Sequence, residues 1–218
     1  ITSLHRIDEE QYVRIDGFTA RSLELLSTMN QEGCSLKDIL DRTYTPMGAR
    51  LLRQWIAFPL KSVAAIEERQ SVVRALVDDA QARFVLEEHL REMGDLERTA
   101  SKVSMKRISP REMVHLADAL TALEPIKKVA EESPCPSLQA LGKELALCTE
   151  LRDRIRYELK PDAPPLVNRG GVIATGYNEE LDELRSLAFS GKDYLLSLQQ
   201  REIERTGITS LKVGFNNV

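Results

Sequence analysis

Three polar side chains near the C-terminal end carry the spacing best suited to binding. Ser210, Lys212 and Asn216 fall on one side of an alternation that puts Leu211, Val213 and Phe215 on the other. A period of two is the pattern of a half-exposed strand. A hydroxyl, an ammonium and an amide beside the small Gly214 suit phosphate oxygens, which accept hydrogen bonds without reporting base identity. The same pattern fits an ordinary solvent-facing strand, and spacing alone leaves both readings open. A lone strand is not stable in water, so either a pairing partner lies beyond Val218 or the strand is frayed here.

Catalytic patterns are missing from the rest of the sequence. No glycine is followed by GK[ST] at the spacing of a phosphate-cradling loop, and there is no GxSxG or HExxH. Cys34, Cys135 and Cys148 form no CxxC pair, and reduced, buried apolar fillers are the simpler reading. His5, His89 and His115 are far apart in sequence and near no cysteine, so they suit surface or packing roles rather than metal ligation. Asp78-Asp79 and Glu131-Glu132 sit at helix ends and read as solvated caps. This chain is therefore not expected to be an enzyme by itself.

The 218 residues carry 30 Lys plus Arg against 34 Asp plus Glu, a net charge of −4. A protein that coats nucleic acid non-specifically usually has a basic balance. Any such contact here must be local and made by few residues. Aromatics are only 5% of the chain, which disfavours sandwiches and barrels and points to helices. No apolar run approaches the roughly 18 residues of a membrane span. The first residues lack a basic start followed by an apolar stretch, so no secretory signal is expected. They also lack an initiating Met, which suggests a piece of a longer chain.

The helices that must position these groups are signalled by their caps. A first helix is expected after Thr19, with Leu23, Leu26 and Met29 on one face, ending at Glu32-Gly33. Ser35 begins a short one. Thr45-Pro46 fits an N-cap and first helical position. That helix runs through Leu51, Leu52, Trp55 and Ile56 to Pro59, with Leu52 and Trp55 expected in the core. Ser62 caps another, Asp78-Asp79 interrupts, and a segment with Phe84, Leu86 and Leu90 follows. Asp95 caps a short helix, and Ser109-Pro110-Arg111-Glu112 is a capping box opening a strong amphipathic one. Leu138, Leu141, Leu145, Cys148, Leu151 and Ile155 then read as one seam, a long helical arm over 137–160. Gly170-Gly171 and Gly176 flank a short extended link. Asn178 caps a long helix with a heptad seam of Leu181, Leu184, Ala188, Leu195 and Leu198, ended by Gly207. Such seams suit a projecting arm and plain bundle core equally.

Several of these runs resemble the MutS family of DNA mismatch repair proteins. The run 41–56 (DRTYTPMGARLLRQWI), with Pro59-Leu60 after it, is similar to the signature of that family's core domain. Gly94-Asp95-Leu96-Glu97-Arg98 and Ser109-Pro110-Arg111-Glu112 look like two further landmarks. The run 170–185 (GGVIATGYNEELDELR) is similar to the approach to the family's clamp. Glu204-Arg205-Thr206-Gly207-Ile208 and Leu211-Lys212-Val213-Gly214-Phe215-Asn216 resemble its first clamp strand, in a bacterial form. The matches run in order over about 14–218.

The resemblance implies a mainly α fold: a helical core with long lever helices, plus a short terminal β-strand from an incomplete clamp domain. Its divisions would be a linker from a preceding connector at 1–17, core and lever at 18–165, and clamp at 166–218. It implies double-stranded DNA, a second MutS protomer and a MutL-type repair protein as partners, in the bacterial cytosol and with no membrane. ATP and Mg would belong to the full-length protein, an ATPase through a domain outside these residues, and no cofactor to this part. Levers would couple ATP state to clamps that hold the DNA backbone. Lys212, Asn216, Ser210 and Asn217 are the candidate backbone contacts. The competing reading is a helical scaffold whose seam docks a partner helix, with no role on nucleic acid.

Overall fold

The computed structural model of the protein describes residues 11–30 and 32–213. Its elements are α1 (Gly17–Ser22), α2 (Leu36–Leu40), α3 (Pro46–Ala57), α4 (Val63–Asp78), α5 (Ala80–Glu92), α6 (Leu96–Ser104), α7 (Pro110–Glu132), α8 (Pro136–Glu144), α9 (Thr149–Glu158) and α10 (Glu179–Thr206). Strand pairing among the described residues is confined to two isolated antiparallel bridges, Tyr12 with Leu60 and Leu159 with Ile173. The fold is mainly α.

Helix starts follow the caps. Ser35, Thr45, Ser62, Asp79, Asp95, Ser109 and Asn178 each accept the N–H of the residue three positions on. Each bond satisfies one of the donors that a helix start leaves unpaired. At α2 and α7 the bond is reciprocal, with Asp38 and Glu112 reaching back to the cap residue's own N–H.

α7 is the axis of the body. Ala119, Leu120, Leu123 and Ile126 are buried with Met93, and Leu86, Leu90, Leu96, Met47, Leu145 and Leu147 pack around them. Each large side chain so buried contributes about 1.5–3 kcal/mol. A second cluster joins Ala130, Cys135 and Leu138 to Val72, Ala75 and Leu76 of α4. α5, α8 and α9 all pack on α7. Pro125 lies inside α7 without ending it. Burial against three neighbours outweighs the lost N–H, which alone favours a break.

Several expectations are corrected. The first helix stops at Ser22, because Glu24 takes a left-handed φ of 50° and the carbonyls of Glu24 and Leu25 accept the N–H groups of Leu36 and Lys37. Those bonds serve the free donors at the start of α2, so Leu26 and Met29 lie outside any helix. The seam over 137–160 is not one arm. It breaks after Glu144, and Cys148 has a φ of 47°. Lys127 Nζ donates to the Leu145 carbonyl at 2.7 Å, while Leu145 and Leu147 turn into the core on α7. Gly142 allows that fold-back, since a Cβ there would lie 2.9 Å from Ala130 Cβ.

Trp55 is also not a core residue. It is 40% exposed, with the Arg69 guanidinium stacked 3.8 Å from its ring centroid, and Leu52 is only half-buried. A loss of 3–5 kcal/mol on truncation, proper to a buried Trp, is therefore not expected in this body. Cys135 is buried as expected, but Cys34 and Cys148 are exposed.

Candidate nucleic-acid interface

α10 is 28 residues long, about 42 Å at 1.5 Å per residue. Among the described residues it packs extensively on no other helix. Leu184, Leu187, Phe189, Tyr194 and Leu196 along it are more than half exposed. A stiff helix held at one end carries displacement to its other end, so its two termini matter most.

The base is a joint. Lys160 N–H donates to Val172, and Ala174 N–H to Glu158, each at 2.9 Å, so the extended link pairs with the end of α9. Tyr177 meets Tyr157 edge-on at 5.6 Å. Arg185 of α10 donates to the Ile173 carbonyl and to Asp182, each at 2.9 Å. Asp182 accepts the Gly176 N–H at 2.6 Å. That bond first, and then Arg185, hold the Asp182 carboxyl below the usual carboxylate range. Glu179, Glu180 and Asp182 in the first turn favour the positive end of the helix dipole.

Gly207 ends α10 in the left-handed region at a φ of 70°, giving its N–H to Ile203 at 2.8 Å. A turn at Thr209-Ser210 follows, and Val213 N–H donates to Gln199 Oε1 at 3.2 Å. The chain therefore folds back beside the last turns of α10. Ser210 and Lys212 are exposed, while Leu211 and Val213 are half-buried. The two-faced alternation is present over 210–213, without strand pairing among the described residues. Asn216 and Asn217, with Gly214 and Phe215, lie outside the described residues.

Charge near this tip is mixed. Residues 178–206 hold seven acids against four bases. Glu202 is paired with Arg205 at 2.7 Å, and Glu204 accepts from Gln200 at 3.0 Å. The Lys212 ammonium has no ion pair among the described residues, so a cation and a hydroxyl stand free beside a partly neutralised helix end. Two exposed donors can hold a phosphate without reading a base.

Sequence reasoning missed the joint. Asp182 and Arg185 stand at i and i+3, a spacing that places them together on a helix. The Ile173 carbonyl that completes the joint comes from another segment, which no spacing reports. The Arg50 network was missed too. Arg50 reaches from α3 to Asp95 and Glu97 at 2.7 and 2.5 Å.

A sequence profile described as MutS domain III matches residues 18–209. DNA mismatch repair protein MutS of Porphyromonas gingivalis is 60% identical over all 218 residues. The proteins of the same name from Parabacteroides distasonis and Cytophaga hutchinsonii are 56% and 49% identical, again over the whole chain. The chain spans about a quarter of the length of these relatives. It belongs to the MutS family.

Proposed function

We propose that this chain is the core and lever, with the first part of the clamp, of a bacterial DNA mismatch repair ATPase. The core and lever occupy 18–165 and the clamp begins at 166, after a linker at 1–17. α10 therefore belongs to the clamp side of the molecule and is the rod that carries the grip. The long helix, anchored at one end and packed extensively on no other helix among the described residues, is the observation that carries the reading.

The tip touches duplex DNA through its backbone, with Lys212 and Ser210 as donors and Asn216 and Asn217 beside them. A net charge of −4 suits this role. Each phosphate neutralised adds roughly −0.9 to the slope of log affinity against log salt. Few contacts let a clamp hold and still slide. The sequence has no phosphate-cradling loop. ATP and Mg are bound elsewhere in the longer polypeptide. The part played here is mechanical: the α9–α10 joint passes movement of the body to the tip. A second protomer closes the ring around DNA, and a MutL-type protein receives the signal.

Lys212→Glu in the full-length protein is the test. Affinity should fall by a similar factor for matched and mismatched duplexes, with the salt slope shallower by about 0.9. An unchanged affinity and slope would remove Lys212 from the interface.

A further inference from the structure

α4 is a 16-residue helix with no buried residue. One of its faces, through Val72, Ala75 and Leu76, rests against Cys135 and Leu138. A second apolar stripe runs along another face: Val63, Ile66, Val73 and Val77. The steps of 3, 7 and 4 between them are those of a heptad seam. Val63, Val73 and Val77 are each more than 60% exposed. Together with Trp55, Ile66, Val73 and Val77 of this stripe line a groove of about 930 Å³. Apolar stripes on two sides of one helix mark a helix made to be covered on both. Contiguous exposed apolar surface of this kind marks a contact site.

We infer that this groove seats an amphipathic helix from the part of the same full-length polypeptide that lies outside these 218 residues. Two observations favour that occupant. The relatives are about four times as long as this chain, so most of the polypeptide is available to cover the groove. The groove is also ready for a permanent neighbour: Arg69 stacks on Trp55 at 3.8 Å and holds the ring as its wall. Arg69 and Arg74 border the stripe, with Asp78 at its end. The seated helix therefore carries an apolar seam flanked mainly by carboxylates. The seam spacing selects a helix over an extended strand, because a heptad stripe meets its partner once every two turns.

The test uses the full-length protein with Val73→Cys and, separately, Val77→Cys. Maleimide labelling of each introduced thiol is timed in native protein and in urea, over a dilution series crossing the dimer range. Labelling about tenfold or more slower in the native state, and unchanged on dilution, is expected. Thiols labelled as fast as in urea would mean an open groove and overturn the inference. Protection lost on dilution would assign the groove to a second copy and overturn it equally. A photo-crosslinking residue at Val73 should join to a peptide outside residues 1–218 of the same chain. A crosslink to DNA, or to none of that chain, would sink the inference while leaving the clamp reading intact.

Discussion

The Arg185 guanidinium donates to one oxygen of Asp182 at 2.9 Å, while the other oxygen accepts the Gly176 N–H at 2.6 Å. One carboxylate thus ties the start of α10 both to its own second turn and to the link before it. Since Arg185 also takes the Ile173 carbonyl, the helix is fastened to the strip paired with α9.

Arg185→Ala should loosen that joint and leave the body intact. Amide exchange over the first turns of α10 is expected to rise about tenfold, with α7 unchanged. Global stability should move by less than about 1 kcal/mol, since the pair is only partly buried. Exchange measured by mass spectrometry on the full-length protein checks both. Equal change in α7 and α10 would make the joint a part of the core rather than a hinge.

Two glycines make a contrasting pair. Gly142→Ala places a Cβ 2.9 Å from Ala130 Cβ and 3.0 Å from the Glu131 backbone nitrogen. Overpacking of this kind costs about 1–3 kcal/mol. At Gly191 nothing lies within 4 Å, so Gly191→Ala should stabilise α10 by about 0.5–1 kcal/mol through helix propensity. Urea denaturation reads the first, and local exchange in α10 the second.

The turn between α8 and α9 depends on one ammonium. Lys127→Met keeps the aliphatic stem and removes the 2.7 Å bond to the Leu145 carbonyl. A hydrogen bond to a charged group contributes about 1.5–3 kcal/mol, so a loss at the low end of that range is expected for this half-buried pair. The midpoint of urea unfolding should fall without a change of slope. A changed slope would mean that α8 and α9 have come away from α7.

Acid should weaken the body through its helix starts. Glu112 is held down at about 2 by Lys102 first and then by the Ser109 backbone and hydroxyl. Asp95, facing Arg50, and Asp38, facing Ser35, are also lowered to about 2. Their folded values lie below the unfolded ones of roughly 4. The stabilisation is therefore whole above pH of about 4 and is lost as pH falls towards about 2. Denaturation at a series of pH values should show this slope, flattened in Glu112→Gln. An unaltered slope in that variant would move the acid sensitivity elsewhere.

The helix starts at Ser35, Thr45, Ser62, Asp95, Ser109 and Asn178 were legible from residue types alone, whereas the start capped by Asp16 was placed after Thr19. A capping bond spans three residues, so local chemistry decides it wherever the helix later packs. The family was legible for the same reason: its landmark runs, such as 41–56 and 170–185, are continuous in sequence. At the candidate site, the alternation of exposed Ser210 and Lys212 with Leu211 and Val213 was also readable, because a period of two needs no knowledge of the partner. Tertiary structure decided the rest. An apolar period over 138–155 is the same whether the helix continues or turns, and Lys127 and the α7 core made it turn. Trp55 sits on a perfect helical stripe, yet its exposure depends on what lies across from it. The α10 joint joins Asp182 and Arg185 to a carbonyl of another segment. These outcomes depend on contacts between residues far apart in the chain, whose energies no local spacing contains.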